Sequence, residues 1–277
     1  MTTPETAQEA TQETTPEQIC SRRLVIVTGD KGGVGKSTFA RGLLQVYLDE
    51  KKDFIAFDAD MSNPQIRRFY GSECTIEPLN IFKRGEIDTN FMEQLGKYIE
   101  PPEKEDKEGG EIEFIPKPLF LLELPPQSSN ILKDFLKRMK FLETIKNAYD
   151  MRVTMVVVIS RTIDSVNQFV DLYNSYENHV DYVVVKNYFF GEEGDFRRYN
   201  NSPALKEIKN DAKKSKYIRE ISMPDLIEHA YDYLDENSLT FAQGIEQNKR
   251  IAVKGRVGAW MDEFNESIKS VKHLLGV

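Results

Sequence analysis

The sequence predicts an α/β fold in which a mostly parallel β-sheet is covered by helices on both faces. Three observations carry that expectation. Short apolar runs rich in Val and Ile alternate with stretches of helical periodicity. The runs are continuous rather than alternating in and out, the mark of strands buried on both sides. A glycine-rich turn joins the first run to the first helical stretch, as a strand–turn–helix unit requires.

The bulk numbers fit such a fold. The 277 residues are 40% hydrophobic and 30% charged, with a formal net charge of −8. A chain of this length buries a sizeable core without disulfides. A protein with that net charge does not coat nucleic acid, so any such contact needs a local basic patch or a partner. Cys20 and Cys74 stand far apart and fit no metal-ligand spacing. No stretch reaches the length of an apolar membrane span, and the N-terminus lacks a basic-then-apolar leader pattern. The expected location is cytoplasmic.

Taken in order, residues 1–21 are rich in Thr, Glu, Gln and Pro, and such a tail is expected to be disordered. The remainder, 22–277, is expected to form one domain. Leu24–Thr28 reads as a buried strand, and a helix follows with Phe39, Leu43, Leu44, Val46 and Tyr47 on its apolar stripe. Phe54–Asp60 reads as a second strand ending in acids. A charged, proline-bearing stretch over 97–118 reads as an acidic surface excursion. Leu119–Leu124 is a strand, followed by one long helix through Tyr149. Val153–Ser160 is a strand, Ile163–Tyr176 a helix and Tyr182–Asn187 another strand. The C-terminal stretch is helical, with Val257, Trp260, Met261, Phe264, Ile268, Val271 and Leu275 on one stripe. Its other face bears Asp262, Glu263 and Glu266, which anionic lipid would repel, so membrane binding is disfavoured.

The turn is the chemically informative part. "GDKGGVGKST" runs from Gly29 to Thr38. A glycine-rich turn feeding a helix N-terminus turns backbone N–H groups and partial positive charge toward an anion. Gly32, Gly33 and Gly35 admit phosphate oxygens close to the backbone, with Asp30, Lys31, Val34 and Thr38 completing the contact loop. Lys36 suits the β- and γ-phosphates and Ser37 suits Mg²⁺. The general phosphate-loop pattern asks for glycine where this chain has Asp30, and it needs only one lysine where this chain has Lys31 as well.

The string "KGGVGKST" resembles the signature of the ParA/MinD family of deviant Walker ATPases, which are three-layer P-loop NTPases. The resemblance implies ATP and Mg²⁺ as cofactors and a homodimer closed around two nucleotides. Lys31 would then cross to the phosphates held by the other subunit. Three further stretches are similar to family motifs. "FDADMSNPQ" resembles the first switch, which implies Asp58 near Mg²⁺ and Asp60 orienting the attacking water. "LFLLELPPQSS" resembles the second switch, but Glu123 stands where the family has aspartate, which puts the rate of hydrolysis in question. "VVVKN" and "ISMPD" resemble the segments that hold adenine, implying Asn187 and Pro224 as base contacts. The catalytic set implied is therefore Lys31, Lys36 and Asp60, with Ser37, Asp58 and Glu123 around the metal.

"NPQIRRFYG" and "LPPQS" look like ParA-type accessory proteins of conjugative plasmids. The reading is thus a slow ATPase switch in plasmid partition, stabilisation or transfer, or in cargo positioning. It has a partner protein that stimulates hydrolysis. Nonspecific DNA is an alternative ligand, which Arg67, Arg68 and the lysines at 206, 209, 213, 214 and 216 could contact; the other reading of these residues is a solvated face. A MinD-like division regulator, an ATP-dependent binding module with little hydrolysis, and a dethiobiotin-synthetase-like enzyme stay open as alternatives. The iron–sulfur reductase branch needs paired cysteines that this chain lacks.

Overall fold

A computed structural model describes residues 20–29, 31–80, 82–83, 86–87, 90–101 and 114–277. Most of the N-terminal tail, the centre of the acidic excursion and Asp30 lie outside the described residues.

The chain runs β1 (Arg22–Thr28), α1 (Lys36–Asp49), β2 (Phe54–Asp58), α2 (Gln65–Tyr70) and β3 (Ile76–Pro78). A short pair, β4 (Phe82–Lys83) and β5 (Glu86–Ile87), leads to α3 (Asn90–Gly96). Next come β6 (Leu119–Glu123), α4 (Ser129–Arg138), α5 (Phe141–Tyr149), β7 (Met151–Ile159), α6 (Ile163–Tyr176) and β8 (Asp181–Asn187). Three short helices, α7 (Arg197–Asn200), α8 (Pro203–Asn210) and α9 (Ala212–Ser215), precede β9 (Ile218–Met223). The chain ends with α10 (Glu228–Glu236), α11 (Phe241–Ile245), α12 (Ile251–Ile268) and α13 (Lys272–Leu275).

Seven strands form one sheet in the order β3-β2-β6-β1-β7-β8-β9. Every pairing in it is parallel, as the doubly apolar runs predict. Successive residues of each strand feed opposite cores. Leu24 and Ile26 pack on the face covered by α3 to α6. Val25 and Val27 pack on the face covered by α1, α2 and α10 to α12. From β1 the chain builds one side of the sheet, and after β6 it crosses to the other. β1 therefore stands where the winding reverses, the position at which open α/β sheets leave a crevice beyond their strand ends.

The structure departs from the sequence expectation in a few places. The single helix expected through Tyr149 is two, because Lys140 adopts left-handed φ +45° between α4 and α5. The second strand stops at Asp58, which leaves Asp60 in the turn beyond it. β9 closes the sheet edge with exposed Arg219 and Glu220 in its middle, and that polarity hides it from a search for apolar runs. The C-terminal helix breaks after Ile268 and restarts as α13. Among the described residues, no helix is long and apolar enough to cross a membrane.

Candidate functional site

The expected site residues converge because parallel strands all point their C-terminal ends the same way. β1 delivers the glycine loop, β2 delivers Asp58, β6 delivers Glu123, β8 delivers Asn187 and β9 delivers Met223 and Pro224. The pairing registers put Val27 and Asp58 on either side of Glu123, and Asn187 beside Met223. A cleft of about 630 Å³ opens over these ends. It is lined by Gly32, Gly33, Gly35, Lys36, Ser37 and Thr38 at one end, and by Pro224 and α10 at the other.

Two glycines make the loop. Gly29 has φ +153°, and a Cβ there would lie 2.9 Å from the Val158 carbonyl oxygen of β7. Gly35 caps α1 at φ +99°, and its Cβ would lie 2.4 Å from Asn187 Nδ2. Only glycine takes that backbone without strain and admits that neighbour. Asn187 uses the space: its Nδ2 donates to the Val34 carbonyl at 2.8 Å, and its Oδ1 accepts from the Phe189 N–H at 3.1 Å. The asparagine expected at the base thus also clamps the loop, a role with no local signal in the sequence. Lys36 is 6% exposed and reaches back to the Lys31 carbonyl at 3.4 Å. Lys31 is exposed and is not among the residues that line the cleft.

The acids meet beneath the loop. The Ser37 hydroxyl donates to Glu123 Oε1, while Glu123 Oε2 is buried with no hydrogen-bond partner. Burial pushes the Glu123 carboxyl up to about 8, with the Ser37 hydrogen bond opposing the rise. Burial also raises Asp58, to about 6, against the N–H bonds it accepts from Asp60 and Arg67, both at 3.1 Å. A hydroxyl, an orphaned carboxylate oxygen and a second carboxylate nearby are hard oxygen donors, the set that suits Mg²⁺. Asp60 is half-buried and lines the cleft. Its Oδ1 accepts from the Ser62 hydroxyl at 2.7 Å and from the Asn63 N–H at 3.0 Å, which fixes the turn into α2.

Pro224 is buried, and its carbonyl accepts the indole N–H of Trp260 at 2.8 Å. Trp260 is the chain's one tryptophan, stacked between Phe241 and Phe264. The motif reading missed Gln65, Phe189, Asp225, Glu228, Tyr231 and Asp232, which also line the cleft. Among them, helix position and an exposed aromatic were the available signals.

The basic residues expected at nucleic acid are partly occupied. Arg68 donates to Ser238 Oγ at 3.0 Å and Asp235 Oδ1 at 3.2 Å, tying α2 to the end of α10. Lys209 pairs with Glu220, and Lys214 lies 3.9 Å from Asp211. Lys206, Lys213 and Lys216 are exposed.

Residues 25–219 match the CobQ/CobB/MinD/ParA nucleotide binding domain. The protein MobD of Acidithiobacillus ferrooxidans is 20% identical over 260 residues, covering 91% of this chain and 99% of that one. A plasmid partition protein of Borrelia burgdorferi bound to AMPPNP is 12% identical, covering 90% of this chain and 99% of that one at a TM-score of 0.44. A nucleotide-binding protein of Archaeoglobus fulgidus in complex with ADP is 18% identical, covering 79% and 86% at a TM-score of 0.42.

Proposed function

The chain belongs to the CobQ/CobB/MinD/ParA nucleotide-binding domain family, and from that premise we propose that it is a Mg-ATP-dependent dimerisation switch that hydrolyses ATP slowly. The observation that carries this reading is the buried cluster under the loop: Ser37 on Glu123, with Glu123 Oε2 orphaned beside Asp58. An orphaned buried carboxylate oxygen costs free energy unless something completes it, and a divalent cation does so.

Ser37, Glu123 and Asp58 are the residues that would hold Mg²⁺, which would neutralise charge on the nucleotide phosphates. The loop N–H groups and Lys36 orient the β- and γ-phosphates. Asp60 at the cleft wall positions the attacking water. Lys31, exposed and outside the cleft lining, reaches the phosphates of a second copy and adds positive charge where negative charge develops. Glu123 carries one methylene more than aspartate, which shifts its carboxylate and slows hydrolysis, so the chemistry acts as a timer for assembly.

The closed dimer engages a partner protein that speeds hydrolysis, or nonspecific DNA through the exposed Lys206 and Lys213. Its role is plasmid DNA partition or conjugative transfer, supported by the "NPQIRRFYG" and "LPPQS" strings. The test is Asp60→Asn. Hydrolysis of Mg-ATP falls by about 100-fold or more, while ATP affinity stays near wild type. Unchanged turnover in Asp60→Asn contradicts the assignment of the water.

A further inference from the structure

We propose that Phe189 is the stacking platform for the purine ring, and that it contributes more of the base affinity than the Asn187 amide does. The proposal rests on the nucleotide reading above and adds a specificity residue to it.

Phe189 is 65% exposed, a rare state for a phenylalanine, and it lines the cleft with Asn187, Met223, Pro224 and Leu226. Its position is built. The Phe189 N–H is held by Asn187 Oδ1, and the turn closes with the Gly191 N–H on the Tyr188 carbonyl at 3.1 Å. Gly191 takes φ +131° to do so. The ring of Phe190 braces that of Phe189 edge-on, with centroids 5.2 Å apart and planes at 89°. Beyond the turn, Lys186 pins Glu193 at 2.5 Å and Asn200 at 3.1 Å, and Glu192 and Asp195 cap each other's backbone. A segment anchored at that many points keeps an apolar ring in water, and a flat ligand face removes that cost.

Asn187 has one N–H and one oxygen lone pair already engaged. Both ends of its amide already hold protein backbone, one of them the loop itself. The cleft wall beyond is acidic, with Asp225, Glu228 and Asp232. Carboxylates there repel phosphate and accept hydrogen bonds from an exocyclic amino group. The ligand therefore has one orientation, with phosphates at Lys36 and ring at Phe189. The ring is recognised mainly by its π-face, opposite the apolar surface of Met223, Pro224 and Leu226.

The experiment compares Mg-ADP with Mg-tripolyphosphate, which occupies the loop but has no base, on the full chain. Wild type binds ADP more tightly than tripolyphosphate. Phe189→Ala loses about tenfold in ADP affinity and keeps its tripolyphosphate affinity, which also shows that the variant is folded. Phe189→Tyr stays near wild type. In Phe189→Trp the added indole is quenched by ADP and not by tripolyphosphate. ADP affinity in Phe189→Ala within about twofold of wild type, with tripolyphosphate binding intact, overturns the stacking role. So does an unquenched Phe189→Trp that still binds ADP. A wild-type protein that binds neither ligand overturns the nucleotide reading itself.

Discussion

Arg41 places a guanidinium where, among the described residues, no carboxylate forms an ion pair with it. It is 1% exposed on α1, and its Nε and Nη2 have no hydrogen-bond partner. Its guanidinium carbon lies 3.4 Å from the Phe69 ring centroid and 5.2 Å from that of Phe241. Burial lowers its pKa, with tyrosines and distant acids opposing. A charge held by ring faces alone recovers only part of its desolvation cost. Arg41→Met, which keeps the length and drops the charge, is predicted to leave the thermal midpoint equal or higher. Arg41→Ala, which opens a cavity, is predicted to cost about 2 kcal/mol or more in denaturant titration. At the loop, Gly35→Ala is predicted to abolish nucleotide binding. A Cβ there requires both a strained φ and displacement of the Asn187 clamp. A calorimetric titration with Mg-ADP checks it. The glycines, Lys36, Ser37 and the acids at strand ends were legible because each lies within or next to a short motif. The Asn187–Val34 clamp and the Arg41 stack were not, because they join positions 153 residues apart in the first case and distant helices in the second.

Among the elements, the N-terminal edge of the sheet is tied by one acid. Asp181, at the start of β8, receives Arg23 of β1 and Arg152 of β7, each at 2.9 Å. Burial raises its pKa, but the hydrogen bonds and charge of Arg152 and Arg23 outweigh burial and hold it below its usual 3.8. A carboxyl depressed in the folded state stabilises the fold above its unfolded value, and that contribution fades as pH falls through the folded one. Asp181→Asn is therefore predicted to lose about 2 kcal/mol at pH 7. The gap to wild type should persist down to the usual 3.8 and close below it. Urea unfolding at neutral and acid pH measures this. Elements rich in Val and Ile announced themselves in the sequence, whereas β9 and the α4–α5 break did not. β9 borders solvent at the sheet edge and carries charge. The break depends on Lys140 taking a left-handed turn that periodicity does not encode.

For the molecule as a whole, the winding of the sheet places the loop, the acids and the base wall around one crevice. Of the motif's two lysines, only Lys36 lines it. Lys31 is exposed, while Lys36 is buried. An ordinary phosphate site needs only the second, and a face-to-face pair of subunits gives work to the first. The net charge of −8 means that two copies repel each other at long range at low salt. The most direct measurement is the solution mass by light scattering, without nucleotide and with Mg-ADP, Mg-ATP and a non-hydrolysable ATP analogue, on wild type and Lys31→Ala. The account predicts a dimer of the wild-type chain with ATP or its analogue, and a monomer of Lys31→Ala that still binds nucleotide. A wild-type chain that binds ATP and stays monomeric, or a Lys31→Ala dimer as stable as wild type, would contradict it.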